Sequence, residues 1–197
     1  MFSGCKFLTS INLSNINTQN VINMDCLFYE CLSLASINLS NFNTQNVISM
    51  VSLFQGCSSL TSIDLSNFNT KNVERMDSMF CGCSLLKSID LSNFNIDKVL
   101  QMDCMFCGCS SLISLDLSNF NTKNVIKMFG MFAECSSLTK LNILNFDSQN
   151  TKNIRNMFKN CSLLKIENVI TKDENILKEL NSFLKYQEKE LSSKKYK

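Results

Sequence analysis

One interval of 26 residues recurs along almost the whole of this sequence. Cysteine, phenylalanine and leucine each return at that spacing, so three ladders run in parallel through the chain. Their members are Cys5, Cys31, Cys57, Cys83, Cys109, Cys135 and Cys161; Phe2, Phe28, Phe54, Phe80, Phe106, Phe132 and Phe158; and Leu8, Leu34, Leu60, Leu86, Leu112, Leu138 and Leu164. A constant period of this length is typical of solenoid proteins, in which one repeat is a supersecondary unit that buries its apolar face only against its neighbours.

The first half of a repeat predicts a short strand. In a copy near the middle of the chain, Ile63 and Leu65 alternate with polar residues, which is typical of a half-buried strand over residues 62–67. The residues that follow are rich in Asn and Thr, which favour turns and helix N-termini. We therefore expect a loop that ends in a helix cap at Thr70 or Asn72.

The second half of the repeat predicts a short helix. Apolar residues recur there at helical spacing, which indicates about two to three turns. They are Val73, Met76, Met79, Phe80 and Cys83. Gly82 follows where a left-handed helix end favours glycine. The sequence therefore predicts an α/β solenoid, a right-handed stack of strand, loop and short-helix units with a parallel sheet.

An asparagine directly follows each predicted strand. The column consists of Asn15, Asn41, Asn67, Asn93, Asn119 and Asn145. Because this residue stays constant while its neighbours vary among the repeats, we expect a buried amide that satisfies backbone groups where the chain turns.

The C-terminal segment predicts a different element. Thr171 and Glu174 match the T-x-x-E capping box, and apolar residues at helical spacing follow them, which predicts an amphipathic helix over residues 172–192. We expect this helix to cover the last repeat; a partner-binding or membrane-surface helix is the alternative, because lysines cluster late in the segment. The predicted domains are a solenoid of six 26-residue repeats plus a half repeat at residues 1–170, and a helix with a frayed tail at residues 171–197.

The repeat also carries a family resemblance. The pattern L-x-x-I-D-L-S-N-F-N-T-x-N-V-x-x-M-x-x-M-F-x-G-C, over residues 1–168, resembles the BspA-like leucine-rich-repeat surface proteins. The resemblance implies a leucine-rich-repeat solenoid, display at the cell surface, and adhesion or protein binding, with no catalytic residues to carry over. The chain opens in the middle of the motif and shows no signal peptide, so our hypothesis is a fragment of a longer protein.

The chain has 11 cysteines. We expect the ladder thiols to be small buried hydrophobes, and their odd number favours a reducing compartment, which conflicts with surface display. A zinc site or a disulfide is a weak alternative, because Cys81 and Cys107 occupy equivalent positions in adjacent repeats. The weak candidate ligands are Cys81, Cys83, Cys107 and Cys109.

The outward positions of the strands predict a recognition surface, which we call the Ser–Asp–Ser face. It consists of Ser62, Asp64, Ser66, Ser88, Asp90, Ser92, Ser114, Asp116 and Ser118. The three carboxylates should stack about one strand spacing apart, and their mutual repulsion would be relieved by a cation or a basic partner. A solvated face with slightly raised carboxyl pKa values is the alternative.

No enzyme or cofactor is predicted. The sequence has no histidine, which excludes Ser-His-Asp and Cys-His arrangements, and it has no glycine-rich phosphate loop. The net charge of +2 gives no indication of nucleic-acid binding, and no membrane span is present in the sequence. We expect a non-enzymatic scaffold that binds a protein or glycan, either as a monomer or as part of a longer chain; a purely structural spacer is the alternative.

Overall fold

The phenylalanine ladder forms a stack through the centre of the protein. A computed structural model describes residues 1–194. From Phe2 to Phe158, rings of successive repeats lie parallel with centroids 5.6 to 6.1 Å apart. The rings from Phe28 onward are fully buried. Identical side chains therefore contact their copies in the next repeat, as the period predicts.

The second half of each repeat is a pair of β-turns, and the prediction of a short helix there was wrong. Ser78 and Gly82 have φ values of 54° and 75°, in the left-handed region, so no right-handed helix can pass through them. Backbone bonds instead close over three residues, from the Met79 N–H to the Met76 carbonyl and from the Cys83 N–H to the Phe80 carbonyl. The helical spacing of the apolar residues arises because two successive turns point the same residues inward.

The remaining N–H groups of this segment bond to the next repeat. The donors Met24, Cys26, Phe28 and Glu30 reach the carbonyls of Ser49, Val51, Leu53 and Gln55 over 2.7 to 3.0 Å. The same four bonds recur at the next four interfaces, and parallel bridges run from Asn23 to Lys127 beside them. The turn side of the stack is therefore a continuous hydrogen-bonded ladder.

The strand side is less regular than predicted. The strands are β1 (Ser114–Asp116), β2 (Lys140–Asn142) and β3 (Val169–Ile170), and they form a parallel sheet in that order. Within residues 1–194 the corresponding segments of the earlier repeats, including residues 62–67, are not strands. Leu115 and Leu141 are buried at the centres of β1 and β2, whereas the equivalent isoleucines of the earlier repeats are half-buried. These are Ile11, Ile37, Ile63 and Ile89.

A column of buried hydroxyls joins the repeats at the position for which a helix cap was predicted. The Thr70 hydroxyl donates to the Asn95 carbonyl and accepts the Asn95 N–H, both over 2.8 Å. Thr18, Thr44 and Thr122 make the same pair of bonds, each to the following repeat. No helix begins there, so the threonine is an inter-repeat clasp and not a cap.

The asparagine column bonds as expected but is exposed. The Asn67 amide donates to the carbonyls of Leu39 and Phe42 over 3.0 and 2.9 Å. Asn93 and Asn119 repeat this pattern one and two repeats later. The prediction of burial was wrong, because the amide reaches the preceding repeat from the surface.

The C-terminal helix is present. A single 3₁₀ turn, Ile166–Asn168, precedes β3, and α1 (Glu174–Lys194) follows β3. The Asp173 carboxylate caps α1 by accepting the Ile176 N–H over 2.9 Å, so the cap is Asp173 and the predicted capping box is wrong. The tail predicted to be frayed is helical up to Lys194, and residues 195–197 lie outside the described residues.

The helix covers the last repeat through one apolar face. Ile176 and Leu180 are fully buried, and Phe183 and Leu184 pack against the same core. Asp173 also accepts the N–H and the hydroxyl of Ser148, which continues the threonine column. No helix within residues 1–194 is long and apolar enough to cross a bilayer.

Candidate binding face

The Ser–Asp–Ser face lies on the strand side of three adjacent repeats. Eight of its nine residues are exposed, and Ser118 is partly buried. In each repeat the aspartate accepts the backbone N–H of the serine two residues later, over 2.9 Å. The face is therefore a row of Asx turns in which one carboxylate oxygen is engaged locally.

The carboxylates of this face have lowered pKa values, whereas the alternative of a solvated face predicted slightly raised ones. The backbone N–H of Ser66 lowers the pKa of Asp64, and that of Ser92 does the same for Asp90. For Asp116 the hydroxyl of Ser118 is the main cause. Hydrogen bonds to the charged form outweigh the desolvation that would raise these pKa values, because the side chains are open to water.

No cation neutralises this acidic column within the described part of the chain. The ion pairs there join Lys6 to Glu30, Arg75 to Asp77 and Lys178 to Glu174. Asp116 instead accepts the side-chain amide of Asn142 from the next repeat over 3.2 Å. Asp64 and Asp90 therefore each keep one free carboxylate oxygen for a cationic or hydroxyl-rich partner, whereas both oxygens of Asp116 accept hydrogen bonds.

A shallow groove of about 410 Å³ extends the face towards the C-terminal end. Its walls are β1, β2 and the residues before and in β3. Asp116, Lys140 and Glu167 place charges of both signs along it. The groove thus joins the acidic column to a mixed-charge surface.

The cysteines divide into two groups. Six ladder thiols, from Cys31 to Cys161, are fully buried, and each donates to the carbonyl of the phenylalanine 29 residues earlier, as Cys83 does to Phe54 over 3.2 Å. Cys5 is exposed, so the expectation of burial was wrong for this first ladder member. Burial raises the pKa of Cys57 to about 12 and raises that of Cys83 as well.

The four weak zinc candidates do not converge. Cys83 and Cys109 point into the core, whereas Cys81 and Cys107 are partly exposed. Among the described residues, no group of three or more His, Cys, Asp or Glu side chains has a geometry that could hold a metal ion.

The family model of a Mycoplasma protein of unknown function, DUF285, matches residues 1–111 and 83–185. The chain belongs to the DUF285 family. A search of curated proteins gave no match.

One solved structure relates the fold of this DUF285 chain to leucine-rich repeats. The chain is similar to the leucine-rich repeat protein TpLRR of T. pallidum at 20% identity and a TM-score of 0.50, over 81% of this chain and 78% of that one. It also matches a leucine-rich repeat protein from Bacteroides ovatus at 19% identity and a TM-score of 0.43, over 81% of this chain and 45% of that one. The first similarity and the parallel sheet support a leucine-rich-repeat-like repeat fold.

A second groove on this DUF285 chain was missed by the sequence interpretation. It has a volume of about 480 Å³ and lies beside a second column of asparagines, Asn20, Asn46 and Asn72. The lining residues are Asn20, Ile22, Asn46, Ile48, Asn72, Glu74 and Lys98. Ile22 and Ile48 are 61% and 45% exposed there. The signal was present in the sequence, because apolar residues recur at this repeat position, but the predicted apolar stripe of the helix did not include the position.

Proposed function

We propose that this DUF285 chain is a non-enzymatic binding or adhesion module that presents the Ser–Asp–Ser face to a protein or glycan partner. In this proposal the repeats form a right-handed solenoid of the BspA-like kind, and the module acts at a cell surface. The observation that supports the binding role is the column of exposed carboxylates, none of which forms an ion pair among the described residues. A basic protein segment, or the hydroxyls of a glycan, would satisfy the free carboxylate oxygens of Asp64 and Asp90.

One observation favours a structural spacer instead. Asn12, Asn38 and Asn142 stand in the same column and accept the same backbone N–H as the aspartates do. The turn therefore explains an acceptor at this position without any ligand. The spacer role predicts that charge at the position is dispensable, and the binding role predicts that it is required.

Replacement of all three carboxylates distinguishes the two roles. Asn keeps the turn acceptor and removes only the charge, so Asp64→Asn, Asp90→Asn and Asp116→Asn should fold normally. A matched control removes three exposed charges elsewhere, through Asp97→Asn, Glu134→Gln and Glu188→Gln.

The assay measures retention of cell-surface proteins and glycans on the immobilised chain over a series of salt concentrations. The binding role predicts a partner that the wild type and the control retain, that the face variant releases, and that salt weakens. Equal retention by the wild type and the face variant would contradict that role and leave the spacer.

A further inference from the structure

Three cysteines outside the ladder lie together on the turn side. Cys81, Cys104 and Cys107 are each partly exposed, in contrast to the buried ladder thiols. Cys104 and Cys107 open and close one β-turn, because the Cys107 N–H donates to the Cys104 carbonyl over 3.1 Å. Cys81 belongs to the preceding repeat, which the bond from the Gly82 N–H to the Cys107 carbonyl, 2.7 Å, holds against that turn.

The side chains at these two turn positions converge. In an earlier repeat the same positions hold Ser52 and Gln55, and the Ser52 hydroxyl donates to the Gln55 side chain over 2.6 Å. Residues at the ends of a β-turn have Cα atoms less than about 7 Å apart, which agrees with the separation that a disulfide requires. The turn therefore gives Cys104 and Cys107 the Cα separation that a disulfide between them requires.

Small residues of the following repeat leave the sulfurs room. Gly130 occupies the position equivalent to Cys104, and a Cβ added there would lie 3.3 Å from the Cys104 sulfur. Ala133 occupies the position equivalent to Cys107. A larger side chain at either position would cover the thiols, so the cluster stays accessible from solvent.

The three thiols also differ in acidity. A hydrogen bond from the Cys104 thiol lowers the pKa of Cys107, and a second one from the Cys81 thiol lowers it further. The same contact raises the pKa of each donor thiol. Thiolate at Cys107 is thus stabilised by two S–H donors, and thiolate is the nucleophilic form of cysteine.

We propose that Cys107 is an oxidation site for hydroperoxides, and that Cys104 resolves the oxidised sulfur into a disulfide within one turn. This inference is independent of the binding role of the Ser–Asp–Ser face. In the first step the Cys107 thiolate attacks one peroxide oxygen, the O–O bond breaks, and the sulfur becomes a sulfenic acid while the other oxygen leaves as water or alcohol after taking a proton.

In the second step the Cys104 sulfur attacks the Cys107 sulfur. The S–O bond breaks, the Cys104 proton leaves with the hydroxide as water, and the S–S bond forms. Two thiols lose two electrons in total, and the hydroperoxide is reduced by the same two electrons. Cys81 keeps its thiol.

Peptide mapping after hydrogen peroxide treatment tests the proposal. Free thiols are alkylated before digestion with trypsin, which releases residues 76–87 with Cys81 and Cys83 and residues 99–123 with Cys104, Cys107 and Cys109. We expect peptide 99–123 to carry an internal disulfide that fragment spectra place between Cys104 and Cys107, with Cys109 alkylated only after unfolding. A sample that is unfolded before alkylation gives the full reactivity of the ladder thiols as a reference. In the folded protein, hydrogen peroxide should oxidise Cys107 at least about tenfold faster than Cys57.

Two variants make the assignment specific. Cys107→Ser and Cys104→Ser should both abolish the internal disulfide, and only Cys104→Ser should leave a sulfenic acid that a dimedone probe traps at Cys107. Cys26→Ser is the matched control, because Cys26 stands at the position equivalent to Cys104 in a turn whose other end is Tyr29. This control should change neither result.

Three outcomes would overturn the proposal. One is oxidation of Cys107 no faster than that of Cys57 in the wild type. Another is a disulfide that joins residues 76–87 to residues 99–123, which would give the resolving role to a cysteine of the preceding repeat, Cys81 or Cys83. The third is persistence of the internal disulfide in Cys107→Ser. The wild-type mapping decides the first two even if a variant fails to fold.

Discussion

The turn side and the strand side of each repeat come from the same 26 residues, yet they hold the protein together to different degrees. On the turn side, four backbone bonds cross each of the central interfaces and the phenylalanine rings stack with nearly constant spacing. On the strand side, strands exist only in the last three copies within residues 1–194. Cohesion between repeats therefore depends mainly on the turn side, and the strand side is free to vary in its surface chemistry.

The largest expected effect on stability comes from removing a stacked phenylalanine ring. Phe80→Ala should lower the free energy of unfolding by about 3 to 5 kcal/mol, because the ring is fully buried between two others. Ile63→Ala on the strand side should cost less than about 2 kcal/mol, because that side chain is only half-buried. Urea unfolding of both variants measures the contrast, and equal losses would contradict the proposed division.

A smaller loss is expected from the threonine clasp. Thr70→Val keeps the shape but leaves the N–H and carbonyl of Asn95 without their partner, which should cost about 1 to 3 kcal/mol. Thr61→Val is the control: its side chain is exposed and its contact is long, so the change should stay within about 0.5 kcal/mol. Comparable unfolding midpoints for the two variants would show that the clasp adds no stability.

A still smaller loss of stability is expected from substituting Gly82, which has a left-handed backbone conformation in its turn. Gly82→Ala should cost about 1 to 2 kcal/mol, since φ there is 75° and the added Cβ would make only an ordinary contact with Gly56 at 3.5 Å. Glu134→Ala replaces a residue that already adopts φ of 63° at the equivalent position, so it should be neutral within about 0.5 kcal/mol. Thermal unfolding of the pair separates backbone strain from the loss of packing.

The smallest expected effect is the pH dependence of stability, which should have opposite signs for a carboxyl on the strand side and one on the turn side. The N–H of Ser66 lowers the pKa of Asp64 on the strand side, whereas burial raises the pKa of Asp103 on the turn side. Asp64 therefore contributes stability that is present above the ordinary carboxyl pKa and is lost as pH falls through its lowered pKa. Asp103 contributes in the opposite sense, at low pH, and its contribution is lost as pH rises through its raised pKa.

Carboxyl NMR titration checks both directions at once. We expect the pKa of Asp64 to lie below that of an ordinary aspartate and the pKa of Asp103 to lie above it. Asp64→Asn should flatten the acid limb of the stability curve, and Asp103→Asn should not. A common midpoint for the two carboxyls would contradict the distinction between the two sides.

Much of this architecture could be predicted from the sequence, because the period alone requires that identical side chains meet. The buried phenylalanines, the buried thiols after Cys5 and the C-terminal helix all follow from spacing and apolarity. The short helix did not follow. Two turns and a helix place Val73, Met76, Met79 and Phe80 on one side equally well, and the left-handed conformation of Ser78 is not visible in a residue type that tolerates many conformations.

The candidate face was only partly accessible to the same reasoning. Alternation placed Asp64, Asp90 and Asp116 outward, as the structure does. Their lowered pKa values depend on a hydrogen bond from the residue two positions later, which is a feature of local backbone geometry. The role of Thr70 was misjudged for a similar reason, since its partner Asn95 is near only after the repeats have stacked.

By itself, the sequence determined that the chain is a repeat protein, which side chains form its core, and that an amphipathic helix follows the last repeat, because periodicity and apolarity are properties of residue order. Only the tertiary structure decided where the backbone hydrogen bonds go. A backbone N–H of the turn segment can donate to a carbonyl of its own repeat or to one of the next repeat. It donates to the next repeat where that repeat places a carbonyl 2.7 to 3.0 Å away. The same proximity places Cys81 beside Cys107 and Thr70 beside Asn95, which no spacing within one repeat specifies.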